Sequence, residues 1–198
     1  MKKLLVILIV GFVLIMSQGF RKVAAGEHET DKGIPLKALA GKYSSTAHAS
    51  YALCLDPTNN FAEISCADNK AKVFPETEVD VGNGTQDASG NSCTTYTGTI
   101  SDQPPDVSPP IVAVFQVVSK DTSFDSATGA GDGTYTGYTG GKCVGADFDS
   151  GGATKVVSGG FHFVISDHRK RVDFILTSNT DQVGGRGDFS YYGTNFRQ

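Results

Sequence analysis

From Gly41 onward, no stretch of twelve or more residues sets apolar side chains three and four apart, the spacing an amphipathic helix requires. In its place come short runs that alternate apolar with polar residues, separated by glycine, proline, asparagine and aspartate. Tyr43, Ala47, Ala49, Tyr51 and Leu53 alternate with Ser44, Thr46, His48 and Ser50, which predicts a strand with one face buried and the other wetted. Phe161, Phe163 and Ile165 share a face, as do Val172, Phe174 and Leu176, and the short segment between the two sets predicts a hairpin.

Further strands are expected at residues 61–66, 70–74 and, briefly, 78–81, with 82–90 as a turn region because it carries Asn83-Gly84 and Ser89-Gly90. Residues 92–100 are rich in threonine and suit an edge or half-exposed strand. Four prolines make 101–110 a loop, and 111–118, apolar on both faces, reads as the most buried strand. Residues 121–133 read as a long surface loop, with strands again at 133–139, 143–148 and 189–196. Eight to eleven strands joined by turn chemistry mean a closed barrel or a sandwich. Short sequential turns favour an antiparallel, eight-stranded up-and-down β-barrel, with a β-sandwich as the alternative.

The first 25 residues read as an export leader. Lys2 and Lys3 precede an apolar run from Leu4 to Met16 broken only by Gly11, and Val23-Ala24-Ala25 offers a cleavage site, with Ser17-Gln18-Gly19 as an earlier one. Thirteen residues form a helix of roughly 20 Å, short of the roughly 30 Å hydrocarbon core, so cleavage rather than a permanent anchor is expected, with no membrane association afterwards. Residues 26–40 read as a flexible N-terminal segment with one helical turn at 35–40, and 41–198 as a single domain. Removing the leader takes four basic residues and no acidic ones, moving the formal charge from -4 to -8, which argues against nucleic acid as a partner. Nothing in the sequence specifies an oligomeric state.

Cys54, Cys66, Cys93 and Cys143 all lie beyond the leader and contain no Cys-x-x-Cys, so in an oxidising compartment they form two disulfides rather than a redox pair or zinc knuckle. Three pairings are open; Cys54–Cys66 with Cys93–Cys143 is favoured because the first pair flanks a turn at 56–60.

Signatures of catalysis are missing. There is no glycine-x-serine-x-glycine elbow, and Ser166-Asp167-His168 sits in an expected turn, where triad residue types rarely act as neighbours. His48 and His162 fall opposite the apolar faces of their strands and so point outward, or else enter a barrel as polar contacts. Asp121, Asp125, Asp132, Asp147 and Asp149 lack the spacing of a calcium loop and read as turn formers. No cofactor or metal is therefore expected. Arg186-Gly187-Asp188 leads straight into a strand, Asn83-Gly84-Thr85 is a glycosylation acceptor by pattern, and Thr-Tyr-Thr-Gly occurs at both 95–98 and 134–137.

Ala40-Gly41-Lys42-Tyr43 at the first strand resembles the glycine-x-tryptophan opening of lipocalins and the wider calycin group, with tyrosine in place of tryptophan; the chain also resembles, loosely, small exported barrels such as the allene oxide cyclase-like group. This resemblance implies an eight-stranded barrel whose mouth takes an apolar small molecule, and carries over no catalytic residue. Tyr43, Phe115, Phe161, Phe163, Phe174 and Tyr191 are the candidate lining of a ligand cavity, or else a filled core. The leading expectation is a secreted, non-enzymatic barrel that binds a small apolar or amphipathic molecule. A cell-surface structural or interaction module, and a barrel isomerase or cyclase, are the alternatives.

Overall fold

A computed structural model describes residues 33–101, 111–181 and 185–198, with the side chains of Ser101, Ile111, Asp181 and Arg186 to Asp188 left aside. The leader, the proline-rich 102–110 segment and Gly184 lie outside the described residues. The described residues form eleven strands: β1 (Gly41–Asp56), β2 (Ala62–Glu63), β3 (Lys72–Gln86), β4 (Asn91–Ser101), β5 (Ile111–Asp125), β6 (Ala130–Thr139), β7 (Lys142–Val144), β8 (Asp147–Asp149), β9 (Thr154–Ser166), β10 (Arg171–Asp181) and β11 (Arg186–Arg197).

Eight of them close into an antiparallel barrel, each paired with its neighbour in the sequence: β1, β3, β4, β5, β6, β9, β10 and β11, with β11 returning to β1. The seam runs from Tyr43 opposite Arg197 to Leu53 opposite Arg186. This is the expected up-and-down barrel. The backbone of Arg186 and Gly187 is paired in that seam. The short β2 adds to the end of β1, and β7–β8 forms a separate hairpin inserted between β6 and β9.

The 161–177 hairpin has the expected register, with Val172 opposite Ile165, Phe174 opposite Phe163 and Leu176 opposite Phe161. Other elements depart from expectation. The separate segments at 70–74 and 78–81 belong to one strand, β3, which continues through the predicted turn to Gln86. Gly82 faces inward there, and a Cβ on it would stand 2.7 Å from the ring of Tyr96, so this glycine serves close packing rather than chain reversal. Asn83 is accordingly exposed on a strand rather than a loop. The 61–66 segment contributes only the two residues of β2.

The expected 121–133 loop shrinks to a four-residue turn between β5 and β6, tied by Asp125 accepting from the Ala127 amide and the Thr128 hydroxyl, both at 2.9 Å. Nor is 111–118 the most buried strand: Val112 and Val114 are 65% and 56% exposed while Ala113, Phe115 and Val117 face inward. In a closed barrel every strand has an outer face, and an apolar residue there has nothing to pack on. The expected edge strand at 92–100 is paired on both sides, as closure demands. The 143–148 segment is a hairpin of two three-residue strands rather than one strand.

Both favoured disulfides are formed. Cys54–Cys66 folds the β2 connection back against β1, where the Ile64 amide donates to the Cys54 carbonyl at 3.0 Å. Cys93–Cys143 fastens the β7–β8 hairpin over the outer face of β4, burying Cys93 and Gln116, with Tyr138 and Phe148 rings 4.5 Å apart. Separations of 12 and 50 residues correspond, by loop-closure entropy, to about 3 and about 4 kcal/mol.

One barrel end is plugged. Leu36–Leu39 form a 3-10 turn, and Leu39 packs with Tyr43, Phe163, Ile165 and Val172 while Ile34 and Leu36 join from the rim. The Tyr43 hydroxyl donates to the Leu39 carbonyl, and Arg197 donates to the carbonyls of Ala38 and Ala40 at 2.8 Å each. The part of the expected flexible 26–40 segment from Ile34 onward is thus docked, because its apolar residues complete the core at that end. A second buried cluster, Ala47, Ala49, Tyr51 and Tyr191, lies farther along the interior.

Candidate functional site: an acid-bearing aromatic cavity

Inward side chains of all eight barrel strands enclose a cavity of about 230 Å³. Of the candidate set, Phe115, Phe161, Phe163, Phe174 and Tyr191 line it. Tyr43 does not; its hydroxyl is spent on Leu39 and its ring belongs to the plug. The volume falls below the roughly 300 Å³ at which drug-sized sites begin, which fits a molecule of roughly ten to fifteen non-hydrogen atoms.

An unanticipated strand supplies one of the two acids on the wall, Glu78, with two more acids beside it. On β3 the inward positions include Glu76, Glu78 and Asp80, while Val73, Val79 and Val81 face out and are exposed. Asp80 is 0% exposed and Glu76 3%. Small residues around them make the room. Ala49 stands between Glu78 on β3 and Tyr191 on β11, Ala47 stands between Asp80 and Gly193, and Gly98 of β4 lies opposite Asp80. The point a Cβ on Gly98 would occupy is 2.3 Å from Glu78 Oε1 and 2.5 Å from Asp80 Oδ1, so the two carboxyl oxygens lie within about 5 Å of each other. Any side chain at position 98 would displace one of them.

Tyrosines complete the arrangement. The buried Tyr135 hydroxyl has no hydrogen-bond partner, whereas Asp80, set behind the cavity wall, meets the side chains of Tyr191 and Glu78. Burial raises the Asp80 pKa, and the nearby Tyr191 and Glu78 side chains pull it only partly back. Tyr191 is pushed well above the usual phenol range, first by burial and then by the negative groups beside it. Tyr96 is pushed up to about 12 by burial against a hydrogen bond with Ser45, which itself donates to Asn195 at 2.5 Å. Burial alone raises Tyr135. Toward the plugged end, Asp121 accepts from Gln86 Nε2 at 2.8 Å, and burial lifts its pKa to about 6. Glu78 and Asp121 line the cavity, and none of the lining residues is basic.

The repeated Thr-Tyr-Thr-Gly segments play matching parts: Tyr96 and Tyr135 both reach the cavity from β4 and β6. The histidines do not. His48 stacks on Tyr192 outside the barrel at 5.6 Å, and His162 Nδ1 meets Asp132 Oδ1 at 3.0 Å on the outer face of β9. Neither serves interior acid or base chemistry. The five aspartates disperse to the cavity, a turn, an outer face and the β7–β8 hairpin, and no group of three metal-ligating side chains occurs among the described residues.

The acids of β3 escaped the sequence reading because alternation gives the period of a strand and not which face turns inward. Glu76, Glu78 and Asp80 are spaced by two, and so are the valines; assigning the valines to the core is the usual choice, and here it is inverted. No protein-family model matches the chain, and no curated protein matches it in sequence.

Proposed function

We propose that the protein is an exported, calycin-like barrel that holds one small amphipathic molecule in its interior. The carrying observation is the aromatic cavity in the barrel interior, lined by Tyr135, whose buried hydroxyl has no hydrogen-bond partner. Such groups cost about 1–3 kcal/mol each when left without a partner, a cost a complementary ligand removes. Export rests on the leader expected at 1–25 and is supported by two disulfides. Native mass spectrometry of protein purified from its own source, with displacement of an environment-sensitive dye, tests the reading. A bound small mass and dye uptake are expected; neither appearing rejects it.

A second reading, a barrel isomerase or cyclase, draws support from one observation: Asp80, its pKa raised by burial, stands beside the cavity-lining Tyr191, a carboxyl–phenol pairing of the kind that acid–base chemistry uses. Under that reading, Asp80→Asn abolishes turnover of a confined substrate, whereas His48→Ala and His162→Ala leave it unchanged.

A further inference from the structure

We propose that the cavity selects a ligand bearing a protonated amine on a small apolar or aromatic body, its ammonium held by the Glu78 carboxyl with Asp80 behind it and its body by the surrounding rings. This deepens the binding function proposed above and rests on it.

Three independent features converge. Among the described residues the cavity wall carries acidic side chains and no basic one, so their field favours a cation over an anion or a neutral group. Two carboxyl groups within about 5 Å of each other repel when both are ionised in a medium of low polarity, and a cation between them removes that repulsion. Asp80 is fully buried behind the wall beside Glu78 and Tyr191, and Glu78 itself lines the cavity, where an ammonium brings three donors.

The body of the ligand is indicated by what stands around the acids. Tyr51 and Phe189 rings lie 5.8 Å apart, Phe189 and Tyr191 stack at 6.1 Å, and Tyr96 and Phe115 stack at 5.4 Å, all on the cavity wall. Ring faces attract an alkylammonium by cation–π interaction and bury its apolar part. A hydrated metal ion has no use for such a wall, and a long lipid exceeds the volume. Tyr135, on the opposite side of the barrel from β3, leaves its hydroxyl for a second polar atom at the far end of the ligand.

Three isosteric probes decide the matter: 2-phenylethylamine, 2-phenylethanol and propylbenzene, titrated calorimetrically into the oxidised protein at neutral pH. The amine is expected to bind at least tenfold more tightly than the alcohol. In Glu78→Gln/Asp80→Asn, whose fold is verified by circular dichroism, the amine's advantage is expected to vanish while the alcohol's affinity changes by less than threefold. Equal affinity of amine and alcohol for the unaltered protein overturns this inference and leaves the apolar-ligand reading standing. So does an amine preference that survives in the double variant. Failure of all three probes to bind overturns both.

Discussion

The β9–β10 hairpin turns Phe161, Phe163, Ile165, Val172, Phe174 and Leu176 into the barrel and leaves His162 outside. Across the barrel, β3 turns Glu76, Glu78 and Asp80 inward and leaves Val79 and Val81 51% and 57% exposed. Both obey a period of two, and they bury opposite chemistries. Along the hairpin, burial lowers the free energy of every inward residue at roughly 25 cal/mol per Å² of apolar surface. On β3 burial costs free energy, because carboxyl groups leave water without full compensation. A wall built from both kinds of strand is stable on one side and strained on the other, and the strained side is where a bound molecule has most to offer.

Substitutions at matched positions sharpen this contrast. Phe163→Ala empties a position 2% exposed in the plugged-end core and is expected to cost about 3–5 kcal/mol, read as a fall in the denaturation midpoint at constant slope. Asp80→Asn, equally buried, is expected to act in the opposite direction, raising stability by about 1–3 kcal/mol at pH 8. A loss of stability on that substitution would mean that the carboxylate is better solvated than its surroundings indicate.

The acids also give the protein an unusual pH profile. A carboxyl whose pKa is higher folded than unfolded binds more protons in the native state, so its contribution is fully present below the unfolded value and is lost as pH rises through the folded one. For Asp121, at about 6 when folded against about 3.9 unfolded, stability therefore declines between roughly pH 4 and pH 6. Partial solvent screening limits this to about 1–2 kcal/mol. Asp80 shifts in the same direction and adds to the decline. Thermal melts of Asp121→Asn across that window are expected to be flatter than those of the unaltered chain. The smallest effect belongs to the outer valines: Val79→Thr and Val112→Thr are expected to change stability by less than about 0.5 kcal/mol.

What could be read in advance follows the same division. The β9–β10 hairpin was legible because its aromatic residues on alternate positions leave one plausible inward face. The disulfide pairing was legible at Cys54–Cys66 because a turn brings the two cysteines back together. The five aromatic residues that line the cavity were legible by size and polarity alone. On β3, by contrast, the inward face is decided by partners on other strands, the gaps left by Ala47, Ala49 and Gly98, and no local rule connects those positions to Glu78. Asn83-Gly84 misled for a related reason: a pair that marks a chain reversal elsewhere here sits within a strand, where Gly84 relieves crowding from Thr94 as Gly82 does from Tyr96.

The pairing of β11 with β1 bears on how such a chain reaches its folded state. Contacts such as Ser45 to Asn195 join residues 150 positions apart, so a ribosome or translocon that delivers the polypeptide in order releases β1 long before its last neighbour exists. Until then β1 presents a bare row of amide and carbonyl groups to any passing strand. Delivery of the whole chain before collapse, with a chaperone shielding that margin, is the regime this topology suits.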